Sequence, residues 1–342
     1  MKRWRIAVMA TGISGLLAGL VGLAGGKIPE GGAIVGSPSA ASPQLESGDQ
    51  LTVVSWNIHY GGGPTLARGR GQTREEVLSY LDAIAQRLRS WDADIVALQE
   101  VDRHAIRSFD IDQMRWLQEA TGLEHAIWTP TWDATWVPHP GLSPSKHIGR
   151  VLSGQVVLSR FPLSDGAHIR LEQPRSNGAI YNKFYLHRHL TGVSAALNDQ
   201  LNLRVVNAHL EAFDDSNRFE QAKTAAALLK DAGPHTLFLG DMNCTPPEAK
   251  LRRSFPDEPE TDMSTDNTIG LLRGIPGMSE VVPTEVYAAS EHPWFTFPAH
   301  KPNRRLDYIF HGSGLKLVSA EVPDMPNPPS DHLPVVARFE ID

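Results

Sequence analysis

Runs of apolar, mostly β-branched residues that each end abruptly in a polar side chain are the feature that most limits how this chain can fold. Four such runs are followed by polar residues, at Asn57, at Glu100, at His209, and at Asp241 with Asn243. Runs of this kind predict β-strands. Since ligand sites in α/β sheets lie just beyond the carboxyl ends of strands, these residues are expected to share one cleft.

The strand-like runs alternate with segments of helical periodicity, which predicts an α/β fold. Strands are expected at 51–56, 94–98, 155–159, 184–190, 203–208, 236–239, 306–310 and 335–339. Helices are expected after a capping box at Thr73 and Glu76, from near Asp112 to Thr121, and near 216–231. Residues 244–303 are rich in Pro and Gly and are expected to form loops and short helices.

Further polar residues stand at or just before strand starts. These are Asp307 and the adjacent pair Asp331 and His332. Antiparallel neighbours would bring those strand starts to the same sheet edge as the strand ends. The alternatives are an ion pair of Asp307 with Arg304 or Arg305, and a plain loop at 330–332.

The candidate site combines carboxylates, amides and imidazoles but no thiolate, because Cys244 is the only cysteine and does not end one of the four runs. Oxygen-rich donor sets of this kind suit a hard cation such as Mg²⁺, with Mn²⁺ or Ca²⁺ as alternatives. A single cysteine also excludes a disulfide framework.

Six motifs carry a resemblance to a known family. In chain order they are VVSWNIHYG, DIVALQEVDR, VVNAHLE, LFLGDMN, RRLDYIF and SDHLPV. Their order and spacing resemble those of the endonuclease/exonuclease/phosphatase superfamily, which includes DNase I-like proteins, over residues 51–340. The resemblance implies a four-layer α/β sandwich, in which two mixed, largely antiparallel sheets pack face to face between outer helices. It also implies metal-dependent cleavage of phosphoesters.

The resemblance assigns three residues to the metal. Asn57 and Glu100 match the metal-binding pair, with Glu100 as the main carboxylate, and Asp331 matches an acid close to the ion. A divalent cation held there would neutralise charge on the phosphoryl oxygens.

Five more residues match catalytic positions. Asp241 and Asn243 match the pair that orients the attacking water and the phosphate, and His209 and His332 match two histidines that contact the scissile phosphate. Asp307 matches the acid that pairs with the terminal histidine. Two further histidines, His59 and His187, are interpreted as structural or peripheral.

The N-terminus has the pattern of a targeting segment. Lys2, Arg3 and Arg5 precede an uncharged stretch from Ile6 to Gly26. Residues 1–26 are therefore predicted to be a signal peptide or an N-terminal membrane anchor, since the stretch approaches the ~20 residues that span a bilayer. Residues 27–50 are predicted to be a flexible linker, and 51–342 the catalytic domain. The protein is expected to be periplasmic, secreted or membrane-anchored.

The formal net charge of −7 argues against generic affinity for nucleic acid. The predicted function is Mg²⁺-dependent hydrolysis of a phosphodiester in a lipid headgroup or another extracytoplasmic substrate. One alternative is an exported endonuclease, and another is a catalytically silent phosphate-binding module. The membrane is an expected partner if the N-terminal segment is uncleaved, and a monomer with no obligate protein partner is expected.

Two further patterns remain without an assigned role. Three tryptophans lie within 128–136, which is interpreted as a loop that packs locally or offers a stacking surface. A stretch between 150 and 188 is locally basic and either faces the phosphate or is solvated. Its basic residues are Arg150, Arg160, Arg170, Arg175, Lys183 and Arg188.

Overall fold

A computed structural model describes most of the chain after the N-terminal segment. The described residues are 26–27, 33–36, 43–65, 71–139 and 147–341. The predicted signal peptide or anchor at 1–26 therefore lies outside them, apart from Gly26. Within these ranges no helix combines the length and apolar character needed to cross a membrane.

The described strands form two mixed sheets. The strands are β1 (Gly26–Lys27), β2 (Ala33–Val35), β3 (Gln50–Asn57), β4 (Ile95–Asp102), β5 (His125–Val137), β6 (Gly149–Ser159), β7 (Leu163–Arg170), β8 (His189–Ala196), β9 (Asn202–His209), β10 (Thr236–Asp241), β11 (Met278–Glu280), β12 (Asp307–Gly312), β13 (Leu315–Glu321) and β14 (Val335–Ile341). The first sheet has the order β1-β5-β6-β4-β3-β14-β13, and β2 also pairs with β5. The second has the order β11-β12-β10-β9-β8-β7. β3 runs parallel to β4, and β9 to β10, while the other pairs are antiparallel.

Six α-helices lie within the described residues, and side chains cap the starts of the three longest. The helices are α1 (Arg74–Ser90), α2 (Gln113–Thr121), α3 (Ala179–Asn182), α4 (Asp215–Leu229), α5 (Thr268–Arg273) and α6 (Thr284–Ala289). The predicted capping box is present, because the Glu76 amide donates to Thr73 and the Thr73 amide donates to Glu76. Asp112 caps α2, which ends at Gly122 in the left-handed conformation. Asp214 caps α4. This helix begins at Asp215, one residue before its predicted start near 216.

Three apolar layers hold the sheets and helices together. The sheets face each other across a core that includes Val53 of β3, Val205 of β9 and Leu239 of β10. A second core packs α1 and α2 on the outer face of the first sheet, and a third packs α4 and α5 on that of the second. The predicted four-layer α/β sandwich is confirmed.

The segment between β10 and β12 is an excursion of loops with the short helices α5 and α6, as the sequence predicts, and it also contains the short β11, which the sequence does not predict. It carries several arginine–carboxylate pairs. Arg273 lies 2.8 Å from Glu248 and 2.6 Å from Glu280, and buried Arg304 pairs with Asp257 and Glu258.

Two predictions of secondary structure are wrong. Residues 184–188 are not a strand, because side chains rather than a neighbouring strand satisfy the carbonyls of 184–186; Gln173, for example, donates to Tyr185 O at 3.0 Å. Residues 128–136 are not a loop but part of β5, paired along β6. Pro130 is accommodated there because the register shifts between Pro130 and Trp132.

The stretch predicted to be a flexible linker, 27–50, contacts the domain at several described positions. Lys27 belongs to β1 and 33–35 to β2, and both strands pair with β5. Farther on, the Leu45 amide donates to Leu197 O at 2.9 Å. Backbone pairing at an open sheet edge, which composition does not reveal, holds these residues.

Candidate active site

The ends of strands from both sheets meet at one edge of the sandwich. In the second sheet Asp241 pairs in register with His209 on one side and with Asp307 on the other. In the first sheet Asn57 ends β3, and its Nδ2 donates to Asp241 Oδ2 across the sheets at 3.1 Å. The sheet topology therefore brings together residues that lie far apart in the sequence.

Glu100 reaches this cluster through a distortion of β4. Its φ is 56°, and the register with β6 shifts between Leu98 and Val101. Asn57 Nδ2 donates to Glu100 Oε1 at 3.2 Å. Burial favours the neutral acid, but the positive charges of His59 and Arg107 outweigh it, so that the pKa of Glu100 lies below its usual value. Glu100 is therefore a carboxylate at neutral pH, held in a strained backbone conformation of the kind that recurs at functional sites.

His332 and Asp307 form a buried pair. His332 Nδ1 lies 2.8 Å from Asp307 Oδ2, and Asp307 is fully buried. Burial lowers the pKa of His332, but Asp307 and Asp241 outweigh it and raise the pKa to about 10. His332 is therefore an imidazolium at neutral pH. Its Nε2 lies 3.7 Å from Asp241 Oδ2 and faces the cluster.

The alternative pairing of Asp307 with a neighbouring arginine does not occur. Arg304 pairs with Asp257 and Glu258, and Arg305 approaches Glu280. The only contact between Arg305 and Asp307 is from Nε to the backbone carbonyl, at 3.3 Å.

Asp241 lies at the centre of the cluster. Burial raises its pKa to about 7, Asp307 adds to the increase, and His332 opposes it. Its Oδ1 accepts from the Asn243 amide at 2.9 Å, while Asn243, with φ of 50°, donates its Nδ2 to Leu210 O at 3.0 Å. A carboxyl group that titrates near neutral pH can accept a proton from a bound water.

His209 is neutral, whereas His332 is cationic. Burial and the neighbouring Arg188 lower the pKa of His209 well below the usual value, so the ring is neutral at physiological pH. His209 Nε2 lies 3.4 Å from Asp241 Oδ2. His332 and His209 are therefore a cationic donor and a neutral ring on either side of the Asp241 carboxylate.

Asp331 is fixed by the loop before β14. Ser330 Oγ donates to Asn57 O at 2.7 Å, and Trp56 Nε1 donates to His332 O at 2.9 Å. Burial raises the pKa of Asp331, and His59 opposes the increase. Asp331 Oδ2 lies 3.7 Å from His59 Nδ1.

His59 is thus part of the site, although the sequence interpretation left it peripheral. Its Nδ1 also lies 3.0 Å from Gly63 O, and its amide donates to Asn57 Oδ1 at 3.0 Å. Its place two residues after Asn57 is the signal that points to it. His187 is outside the cluster, where its amide donates to Thr131 O at 2.7 Å.

Arg188 stands out from the basic stretch around it. Arg150, Arg160 and Arg175 each pair with a carboxylate, respectively Asp110, Asp92 with Asp94, and Glu172. Arg188 is only 6% exposed and lines a small cavity with Glu100, Trp132 and His209. Within the described residues its guanidinium has no hydrogen-bond or ion-pair partner, and its Nε is fully buried without one. A buried cation without a counter-ion is costly unless an anion binds it.

The donor set fits a divalent cation. Asp331 lies close enough to Glu100 for the negative charge of Glu100 to raise its pKa, and Asp307 does the same for Asp241. Crowded carboxylates of this kind are stabilised by a cation, and oxygen donors suit Mg²⁺ or Ca²⁺. Asp241, Asp307 and His332 also place donor atoms within 4.8 Å of one another. The 2.8 Å contact with Asp307, however, already occupies Nδ1 of His332.

Comparison with known proteins identifies the family. A model of the endonuclease/exonuclease/phosphatase family matches residues 54–332. No curated protein sequence matches the chain.

Solved structures share the fold at low identity. An endonuclease/exonuclease/phosphatase from Beutenbergia cavernae is 21% identical, with a TM-score of 0.58 over 85% of this chain and 72% of that one. TDP2 from D. rerio, complexed with a single-strand DNA product, is 17% identical, with a TM-score of 0.53 over 85% and 98%. A mannosyl-6-phosphatase from Bacteroides thetaiotaomicron is 14% identical, with a TM-score of 0.52 over 84% and 99%. With the family model matching most of its length, the chain belongs to the endonuclease/exonuclease/phosphatase family.

Proposed function

We propose that this protein is an exported, Mg²⁺-dependent phosphoester hydrolase that prefers phosphodiesters. One observation carries the proposal most directly: an unpartnered buried arginine, a cationic histidine and a group of carboxylates face one another at the same sheet edge. Phosphoester hydrolysis needs charge neutralisation, an oriented water and a proton donor, and this cluster offers a residue for each.

The metal would be held by Glu100, with Asn57 and Asp331 beside it. A divalent cation bound there supplies Lewis-acid neutralisation of the phosphoryl oxygens. Asp241, Asp307 and His332 are the alternative ligands. We prefer the first group because the contact between His332 and Asp307 already occupies Nδ1 of His332, and this pair is better suited to acid–base catalysis.

The remaining residues divide the proton transfers and the binding. Asp241, whose pKa is about 7, accepts the proton of the attacking water at a carboxylate oxygen. His332, kept cationic by Asp307, donates a hydrogen bond from Nε2 to a phosphoryl oxygen and gives its proton to the leaving oxygen as the P–O bond breaks. Arg188 forms an ion pair with the phosphate, and the neutral His209 orients a reacting group beside Asp241.

The preference for a diester follows from charge. A phosphodiester carries one negative charge and a phosphomonoester up to two near neutral pH. In the described part of the site the only unpaired arginine is Arg188, while the charge of His332 is balanced by Asp307. One free guanidinium matches the single charge of a diester.

A substrate panel with the full chain tests this function. Turnover of bis-p-nitrophenyl phosphate, p-nitrophenyl phosphate, plasmid DNA and phospholipid is measured with Mg²⁺, Mn²⁺, Ca²⁺ or EDTA. We expect diester turnover that EDTA abolishes and Mg²⁺ restores. Turnover that survives EDTA would contradict the metal requirement, and a faster monoester reaction would contradict the diester preference.

Two other outcomes would replace the proposal. Cleavage confined to plasmid DNA would favour the exported endonuclease. A folded protein that cleaves none of these substrates would favour a phosphate-binding module.

A further inference from the structure

The N-terminal strand joins the domain at the active-site edge. β1 runs antiparallel to β5, with Gly26 opposite Ala134 and Lys27 opposite Asp133. β2 pairs with an earlier part of β5, with Ala33 opposite Trp128. The chain therefore enters beside the end of β5 and runs away from that end as it proceeds.

The position of this entry relative to Glu100 follows from the sheet register. Val101, the residue after Glu100, pairs with Gly154 of β6, and Gly154 pairs in turn with Pro130 of β5. β4 and β5 run in the same direction, because both are antiparallel to β6. Asp133 and Ala134 lie three and four residues beyond Pro130, so the two residues of β1 lie roughly 10 and 13 Å past the level of the site, at about 3.3 Å per residue.

The same edge carries the two most exposed large apolar side chains of the described residues. These are Phe213, 64% exposed, and Ile180, 57% exposed. Phe213 lies just after the end of β9, and Ile180 lies in α3, in the connection that leads into β8. We call these two side chains the apolar rim.

Hydrogen bonds join the rim to the extension of β5. Tyr185 Oη donates to Glu211 Oε1 at 2.6 Å, which ties the connection before β8 to the residues after β9. Trp132 Nε1 donates to Phe184 O at 2.9 Å, which ties that connection to β5. The apolar rim, the cavity of Arg188 and the entry point of the chain are therefore parts of one surface.

We propose that this edge docks on a lipid bilayer, with Phe213 and Ile180 inserted at the interface. The sequence before Gly26 supports the choice of occupant, since Ile6–Ala24 is uncharged and near the length of a bilayer span. If that stretch anchors the chain, only two residue steps separate its end at Ala24 from Gly26. Two steps reach at most about 7 Å, so the anchor would hold this edge against the membrane.

In this orientation the cavity of Arg188 and the active site beside it would face the lipid headgroups. The substrate would then be a phosphodiester in the headgroup of a membrane lipid. This substrate assignment rests on the proposed function, whereas the docking itself does not. Exposed apolar side chains beside a cleft mark interaction surfaces, and aromatic rings are favoured at the membrane interface.

Position-specific quenching tests the orientation. A fluorophore is attached to Phe213→Cys in the full chain, reconstituted into phosphatidylcholine vesicles that contain a minor fraction of phosphatidylglycerol and a brominated lipid. The matched control is Leu228→Cys, an exposed apolar position near the end of α4 that lines a cavity with Asn202 and Thr236 at the opposite ends of β9 and β10. The native Cys244 is fully buried, so it should not label in the folded protein.

We expect several-fold stronger quenching at position 213 than at position 228. Equal quenching, or stronger quenching at 228, would overturn the proposal. Turnover of soluble bis-p-nitrophenyl phosphate by the same samples reports the proposed chemistry separately. Selective quenching at 213 without diester turnover would therefore leave the docking intact and refute the proposed function.

A second pair of variants tests the consequence for catalysis. Ile180→Ser combined with Phe213→Ser should lower hydrolysis of vesicle lipid several-fold while turnover of soluble diester stays unchanged. Leu228→Ser should change neither. Equal loss on both substrates would indicate damage to the site and contradict a docking role.

Discussion

The active-site edge and the excursion between β10 and β12 both bury charged side chains, but they treat them differently. In and beside the excursion the buried Arg218 lies 2.7 Å from Asp266, and the half-buried Arg273 contacts both Glu248 and Glu280. At the active-site edge Arg188 has no partner among the described residues. Arg107, which lines the same cavity, pairs with Asp102 at 2.8 Å, so among the buried arginines of the described residues Arg188 alone lacks an acid.

The difference separates stabilisation from function. A matched buried pair holds two segments together, and removing one partner leaves an uncompensated charge. An unmatched cation or a crowded set of carboxylates costs stability in the free protein, and that cost is recovered when an anionic ligand or a metal binds. We therefore expect substitutions at the active-site edge to change activity and those at the matched pairs to change stability.

The largest effect is expected for Glu100→Gln. Losing the main carboxylate should reduce kcat/KM for bis-p-nitrophenyl phosphate by more than about 100-fold, the upper range for residues that only support metal ligands. The melting temperature should fall modestly, because the positive charges that lower the pKa of Glu100 also make its carboxylate stabilising at neutral pH. Titration with Mg²⁺ measures both the affinity and the rate.

Glu119→Gln is the matched control for this prediction. Glu119 is an exposed acid on α2 that pairs with Arg115, and its substitution should leave activity and melting temperature unchanged. Near wild-type turnover of Glu100→Gln at limiting Mg²⁺ would remove Glu100 from the site.

The second prediction concerns His332 and Asp307 as one unit. His332→Ala should reduce kcat by about 10²–10⁴-fold, the usual range for an acid–base residue. Because Asp307 acts through His332, the double variant with Asp307→Asn should be about as slow as the slower single variant. Single-turnover rates of the three variants measure this coupling, and fully additive losses would show that the two residues act separately.

The pH profile gives this pair a second readout. Asp307 and Asp241 raise the pKa of His332 to about 10 against the effect of burial. Removing the charge of Asp307 lowers that pKa, so the alkaline limb of activity should move to lower pH in Asp307→Asn. An unchanged limb would assign it to another group.

The third prediction compares two buried arginines directly. Arg188→Met should raise KM and slow diester hydrolysis while leaving the free energy of unfolding equal to or above that of the wild type. Arg218→Met should lower the free energy of unfolding by about 3–5 kcal/mol, since Asp266 stays buried without its partner. Urea unfolding and steady-state kinetics of both variants check the pair, and a loss of stability in Arg188→Met would mean that Arg188 has a structural partner.

The smallest effect is expected in the acid stability of the Arg218–Asp266 pair. Burial raises the pKa of Asp266, but Arg218 and hydrogen bonds from Thr268 outweigh it and lower the pKa below the usual value. The resulting stability is present above the unfolded-state pKa and is lost as pH falls through the folded-state value. Asp266→Asn should be less stable near neutral pH and should lose less stability on acidification, by on the order of 1 kcal/mol for each pKa unit of the shift. Urea midpoints between neutral and acidic pH measure it, and parallel curves for the two proteins would contradict the pairing.

Local chemistry in the sequence was sufficient for α1, α2 and α4 and for seven of the fourteen described strands. The capping box at Thr73 and the pair of Asp112 and Gly122 act within a few residues, so their effect can be predicted without the rest of the molecule. The runs that end at Asn57 and Asp241 are strands in the structure for the same reason. The order of six motifs gave the family, and with it the four layers.

What the tertiary structure decided is which groups meet and which lack a partner. Composition placed the tryptophans of 128–136 in a loop, but pairing with β6 extends β5 through them. Arg188 and Arg150 look alike in the sequence, yet Arg150 meets Asp110, whereas Arg188 is buried beside His209 without an acid. The partner of a charge comes from a segment far away along the chain, and only the folded sheets bring that segment close. For this reason the residue types of the site could be predicted from the sequence, while its charge states and its unpaired cation required the structure.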